Sequence, residues 1–332
     1  MGASFLYTSA DAGAPQIDVS VKGSVLNILK QCLVNGYGTK APLGWTILFD
    51  DPLNNCAVFR NNPYAGSGCC LRVYDNAVNN FKYQYGLRMF SSMDSVDTGI
   101  NPIPLDAMSL NYAAFMGSAP YSRRWYLIGD SRGFYFCVHA SQYGYTLWQH
   151  EHLVYTWYAG DIINLVPNGP KIFGLFANNG YEHYFGSSCG EKYTDTTNVD
   201  SQLCMVHKNP ITMKFGAVTA RIAPLHPFVH STLSYESAGT IGASAKPWNT
   251  VPLCTDVCVI IAGPTIIGKM PGLTAPVYNY NDAENATEIQ PKYYSYGDNT
   301  FLRLSHTSQS SPNSITQAAI STFMFKIGNG FR

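Results

Sequence analysis

Gly129-Asp130-Ser131-Arg132-Gly133 satisfies the Gly-x-Ser-x-Gly pattern, in which a serine at a sharp turn between strand and helix attacks an acyl carbon. An apolar run from Trp125 to Ile128 precedes it, as that chemistry requires. The following residues do not fit. A nucleophile turn must open a helix whose first amides help to hold the oxyanion, whereas Phe134-Tyr135-Phe136-Cys137-Val138 is a β-type run. Strand, Gly-Asp-Ser-Arg-Gly, strand is the pattern of a hairpin, with Asp130 and the glycines supplying the turn.

Gly-Asp-Ser also occurs in the SGNH hydrolases, but there it lies near the domain start and a late Asp-x-x-His completes the triad. Here it lies at residue 130, and no Asp-x-x-His occurs. An SGNH-like esterase using Ser131 is therefore a low-ranking alternative, and no catalytic residue is assigned. His150-Glu151-His152 is the metal candidate, because alternate strand residues share a face, with His139 or His183 as a third ligand. The neighbouring Trp148, Tyr155 and Trp157 favour instead an aromatic strand with a solvated or interfacial histidine pair. His226 and His230 flank Pro227 and are expected to pack beside it. Asp50, Asp51, Asp94 and Asp97 take turn and capping roles, since no calcium-loop spacing joins them. Phosphate-binding glycine loops are absent, and no cofactor is expected.

The nine cysteines, at 32, 56, 69, 70, 137, 189, 204, 254 and 258, form no Cys-x-x-Cys pair. They read as buried thiols acting as small apolar groups, with disulfides between subunits as the alternative. The chain is 46% hydrophobic but only 13% charged, about half the usual share, and holds 23 Tyr and 17 Phe. Lys plus Arg equals Asp plus Glu at 21 each, which leaves no basic excess for nucleic acid. No apolar run approaches the roughly 20 residues of a membrane helix. The Met1-Gly2-Ala3-Ser4 start has no signal-peptide character, so synthesis in a cytoplasm without export is expected.

The elements that must carry these residues are mostly strands. Residues 1–22 read as an arm. Val25, Ile28, Leu29, Cys32 and Leu33 then recur at amphipathic-helix spacing, and Asn35-Gly36 supplies a left-handed stop. Short β-type runs follow: Ala57 to Arg60, Cys70 to Tyr74, Tyr85 to Phe90, Trp125 to Ile128, Phe134 to His139, Thr300 to Leu304 and Phe323 to Ile327. A second helix is weakly indicated over Pro104 to Phe115. Gly- and Pro-rich joints at 166–174, 222–227 and 263–276 suggest a helix-plus-β domain over 23–168 and a second β-rich domain over 169–332. The expected fold is mainly β or α+β, with antiparallel sheets in a sandwich- or barrel-like arrangement and one N-terminal amphipathic helix.

Several blocks together resemble a family of roughly 300-residue virion structural proteins of tailed bacteriophages. They are Leu26-Asn27-Ile28-Leu29-Lys30-Gln31-Cys32-Leu33-Val34-Asn35-Gly36-Tyr37-Gly38 with Gly44-Trp45-Thr46, then Leu71-Arg72-Val73, Met93-Asp94-Ser95-Val96-Asp97-Thr98-Gly99, and Arg124-Trp125 into Gly129-Asp130-Ser131-Arg132. Late in the chain, Gly268-Lys269-Met270-Pro271-Gly272-Leu273 is similar to the family's Gly-x-Leu-Pro-Gly-Leu segment. The resemblance implies a structural subunit made in the host bacterial cytoplasm and located in the virion, in the tail or baseplate. Its partners would be other virion proteins and copies of itself, with no nucleic acid and no membrane. Capsid decoration and binding of host-surface glycan are the alternatives. Candidate contact residues are Tyr143, Tyr145, Tyr155, Trp157, Tyr293, Tyr294 and Tyr296.

Overall fold

Runs of β-branched, aromatic and other apolar residues, some alternating and some continuous, form twenty strands among the described residues, seen here in a computed structural model. It describes residues 5–18, 21–79, 82–103, 115–116, 124–141, 152–177, 202–224, 254–261, 265–276, 292–296, 299–304, 324–329 and 331. In chain order these are β1 (Phe5–Thr8), α1 (Ser24–Lys30), β2 (Thr46–Asp51), β3 (Cys56–Arg60), β4 (Cys70–Asn79), β5 (Lys82–Phe90), β6 (Ser92–Met93), β7 (Gly99–Ile100), β8 (Phe115–Met116), β9 (Arg124–Asp130) and β10 (Gly133–Ser141). There follow β11 (His152–Asp161), β12 (Ile163–Asn164), β13 (Ile172–Ala177), β14 (Gln202–Lys208), β15 (Phe215–Pro224), β16 (Cys254–Ile261), β17 (Thr265–Pro276), β18 (Lys292–Tyr296), β19 (Asn299–Arg303) and β20 (Met324–Ile327). Every expected run lies in or overlaps a strand. The fold is mainly β, and all ladders among the described residues are antiparallel. Residues 104–114, where a second helix was indicated, lie outside the described residues, and Phe115 belongs to β8.

A 13-stranded sheet runs in the order β1-β9-β10-β11-β13-β14-β15-β16-β17-β20-β19-β18, with β12 paired to β17 beside this path. A 5-stranded sheet runs β2-β3-β4-β5-β8. Their apposed faces share one core. From the smaller sheet come Phe59, Leu71, Val73, Leu87 and Met89, and from the larger Trp125, Leu127, Phe134, Phe136, Val138 and Trp157. The opposite face of β9, β10 and β11 supplies Tyr126, Ile128, Tyr135, Cys137 and Tyr158 to a second core with Val257, Val259, Ile267, Leu273 and Phe325. These three strands are thus buried on both faces, which explains their continuous apolar sequences. The large sheet curls around the second core: the Tyr135 hydroxyl donates to the Pro271 carbonyl at 2.8 Å, and its ring centroid lies 5.1 Å from that of Phe325. Residues on both sides of the 166–174 joint contribute to this core.

The helix is more enclosed than an amphipathic stripe requires. Leu26 is buried together with Val25, Ile28 and Leu29, while Asn27 is exposed. No local side chain caps its start. Instead Asp75, buried on β4, accepts the Leu26 amide at 2.9 Å, which places a carboxylate at the positive end of the helix. A wider π-type turn over Gln31–Asn35 ends at Gly36, where the stop was expected; its φ of 79° is a value that favours glycine, but its ψ of 169° is extended rather than left-handed helical. The amides of Leu43, Gly44 and Trp45 then satisfy the carbonyls of Cys32 and Leu33.

Candidate functional site

The Gly129–Gly133 segment is a two-residue hairpin turn. Asp130 pairs with Gly133 across the ladder, and Asp130 Oδ1 accepts the amides of Arg132 (2.8 Å) and Gly133 (3.1 Å). A strand follows where acyl-transfer chemistry needs a helix, so Ser131 stands on a turn rather than at a nucleophile elbow. Around the turn lies a buried polar network joining the two sheets. Asn62 N–H donates to Ser131 O (2.9 Å), Asn61 Nδ2 to Arg132 O (3.0 Å), and Trp45 Nε1 to Asp130 O (3.2 Å). Asp161, at the end of β11, accepts the Ser67 amide at 2.7 Å and the Ser67 hydroxyl. The packing is tight: a Cβ on Gly66 would lie 2.7 Å from Asp161 Oδ2. Two of the sequence blocks, Gly44-Trp45 and Gly129 to Arg132, therefore meet in space. Each of these contacts holds one loop to another, which is structural chemistry.

The other candidates are dispersed. His150, Tyr143, Tyr145 and His183 lie outside the described residues, as do His226 and His230. His152 opens β11 opposite Ser141, and His139 on β10 pairs with Val154. Among the described residues, no group of three or more His, Cys, Asp or Glu is placed to hold a metal ion. Trp157 is not available for contact: it is 1% exposed, its ring 5.2 Å from Phe134 and 5.5 Å from Phe136. Tyr155 is on β11, and Tyr294 and Tyr296 are on β18, where Tyr293 is 54% exposed. Cys32, Cys56, Cys69, Cys70, Cys137 and Cys258 are buried. Burial pushes the Cys137 thiol up to about 12 and raises Cys32 well above its ordinary value, so neither is a ready nucleophile.

Antiparallel alternation sorts the connections of the large sheet between two ends. Ser141 pairs with His152, Ala177 with Gln202, Cys254 with Pro276, Thr274 with Met324, and Arg303 with both Lys292 and Met324. These pairs, with Pro224 of β15 opposite Val257, bring those strand ends to one end of the sheet. The opposite end carries the short connections 131–132, 162–171, 209–214, 262–264 and 297–298.

The short-turn end has a surface that sequence reasoning missed. Ile211 is 69% exposed and Phe215 60%, with Met213, Leu165, Ile266 and Tyr64 also exposed. Hydrogen bonds knit this rim together: Asp161 N–H to Arg132 O (3.0 Å), Leu165 N–H to Ile267 O (3.0 Å), and Lys208 Nζ to Asn168 O (3.1 Å). The 209–214 tip is ordered by Asn209, whose Oδ1 accepts the amides of Ile211 (2.8 Å) and Thr212 (3.0 Å). Lys208 Nζ sits 5.5 Å from the Phe215 ring centroid, and the His207 ring packs on its flank at 5.7 Å. Burial pushes the His207 imidazole down to about 4. The available signal was Ile211 and Met213 inside a turn opened by Asn209-Pro210, where polar residues are the rule, with Phe215 directly after it.

No protein-family model matches the chain, and no curated protein matches it.

Proposed function

We propose that this chain is a structural subunit of a tailed-bacteriophage virion, in the tail or baseplate region, working by protein–protein assembly. The observation that carries the assembly part is the hydrogen-bonded short-turn end with Ile211, Met213, Phe215, Leu165 and Tyr64 exposed to solvent. Large apolar side chains grouped on a hydrogen-bonded rim favour a partner surface over isolated exposure. The sparse charge adds support, since an interface poor in ions is formed with little desolvation cost. The virion setting rests on the sequence blocks that resemble phage structural proteins. Mass spectrometry of purified particles of the encoding phage tests it, and absence of the protein from them refutes it. Particle reconstruction then gives the position, and density on the head would assign capsid decoration instead.

A further inference from the structure

Among the described residues, the short-turn end shows solvent one sign of charge. Lys171 and Lys214 are exposed there and Lys208 is partly exposed, all close to the apolar residues of the rim. The two carboxylates at this end are enclosed: Asp130, 5% exposed, accepts the Arg132 and Gly133 amides, and Asp161, 4% exposed, accepts the Ser67 amide. The described connections 61–69, 131–132, 162–171 and 209–214 contain no Asp or Glu. Apolar and basic groups are also interleaved. Ile211, Met213 and Phe215 alternate with Thr212 and Lys214 in a row of consecutive exposed residues, and Lys208 Nζ donates to the Asn168 carbonyl while lying 5.5 Å from the Phe215 ring centroid. Met213 has a φ of 58°, uncommon for a residue other than glycine, and at 41% exposure it gains little core packing in return.

We propose that this end docks a different protein of acidic character, whose carboxylates surround an apolar hollow that receives the 211–215 tip. Charge complementarity selects that partner: a counter-surface carrying Asp or Glu meets the three lysines, and its apolar centre covers Ile211 and Phe215. A second copy meets neither need. Two equal ends facing each other would bring Lys171, Lys208 and Lys214 against themselves. Elsewhere on the described surface Asp50, Asp97 and Asp256 are each paired within the chain, to Lys30, Arg72 and Lys269, which leaves a second copy little unpaired negative charge to offer. The spacing of the docking groups is set in advance, by Asn209 Oδ1 within the tip and by the Asn168 carbonyl on Lys208. A folded counter-surface gains from such pre-organisation, whereas a fluid lipid surface does not require it. The inference rests on the assembly reading of this surface and names the chemistry of the partner; it does not depend on the virion setting.

The test uses the full-length protein and two variants, Ile211→Asp with Phe215→Asp, and Lys208→Glu with Lys214→Glu, with circular dichroism confirming the fold. The probes are three labelled peptides of equal length: glutamates with leucine and phenylalanine at helical spacing, the same peptide with lysine for glutamate, and glutamates with serine for the apolar residues. By fluorescence anisotropy the wild type should bind the first at least about 10-fold more tightly than either control, and less tightly as salt is raised. The apolar-to-acid variant should lose about 30-fold or more, the loss expected for anchor residues. The lysine-to-glutamate variant should come to prefer the lysine peptide, a reversal that a folding defect does not produce. A wild type without preference for the first peptide, or a preference unchanged in both variants, overturns the proposal. Self-association in sedimentation velocity that both variants abolish, without peptide preference, replaces the partner by a second copy and leaves the assembly reading standing. Binding to phosphatidylglycerol vesicles through this end, without peptide preference, overturns both in favour of a membrane. Presence in virions without peptide preference removes this inference alone, and peptide preference with absence from virions removes the virion setting alone.

Discussion

Replacing Asp161 by alanine should unfasten the two sheets from each other. The residue is 4% exposed, and its carboxylate accepts both the amide and the hydroxyl of Ser67 on the β3–β4 connection. Hydrogen bonds to a charged group contribute about 1.5–3 kcal/mol each, and the truncation leaves the Ser67 amide without its acceptor. Allowing for a water entering the vacated space, the expected loss is about 3 kcal/mol. The backbone bonds of Asp161 to Arg132 O and from the Tyr158 hydroxyl survive the change, so the β-hairpin itself should persist. Urea unfolding followed by tryptophan fluorescence is the assay, because Trp45, Trp125 and Trp157 all sit in the core between the sheets. Hydrogen exchange should localise the loss to residues 61–69. Ser131→Ala, on the same turn, is the control and should fall within about 0.5 kcal/mol of wild type. Asp161→Ala matching wild type, or Ser131→Ala losing as much, would refute the assignment of this cluster as a fastening between sheets.

Gly160→Ala should be among the most damaging small changes, costing about 3 kcal/mol or more: φ is 137°, and the new Cβ would lie 2.3 Å from Gly133 Cα and 2.4 Å from Arg132 O. Gly216→Ala, at φ 148° with nothing within 4 Å, should cost about 1 kcal/mol, and thermal melts of the pair would separate steric from purely conformational strain. His207 is held neutral, its folded value of about 4 lying below the ordinary 6.5, so the unfolded chain binds the extra proton. Stability from this site is therefore complete above about pH 6.5 and lost as pH falls towards 4, by about 2–3 kcal/mol, and His207→Gln should flatten that slope in urea melts. Finally, a thiol-reactive disulfide reagent at pH 8 should leave Cys32 and Cys137 unlabelled in the native protein and reach them on unfolding; peptide mapping that finds either labelled first would contradict their burial.

Much of the architecture was legible locally. The runs around Ala57, Cys70, Trp125, Phe134 and Phe301 are short, rich in β-branched and aromatic residues and bounded by turn residues, and Gly129 to Gly133 carries turn chemistry between two of them, so the hairpin follows from neighbours in sequence alone. Burial of the described thiols followed from their apolar surroundings. The enclosed helix was less legible. Leu26 fell outside the i, i+3, i+4 stripe, and its burial comes from β4, which also delivers Asp75 to the helix start from 49 residues away. Trp157 looked like a contact residue because an aromatic strand segment reads the same whether its second face meets solvent or another layer.

What the sequence determines by itself is therefore what depends on adjacent residues: strand periodicity, turns, the glycine stop of the helix, weak charge and its zero balance. Tertiary structure decided which strands pair, and everything that pairing brings together. Asp161 meets Ser67 across 94 residues, the β9–β10 turn meets the β3–β4 connection, and Leu165, Ile211 and Phe215 come to one end because successive antiparallel strands return their connections alternately to opposite ends. The physical reason is that a period-two pattern specifies which face a residue takes but carries no register. Register comes from cores and ladders that form only when distant segments meet.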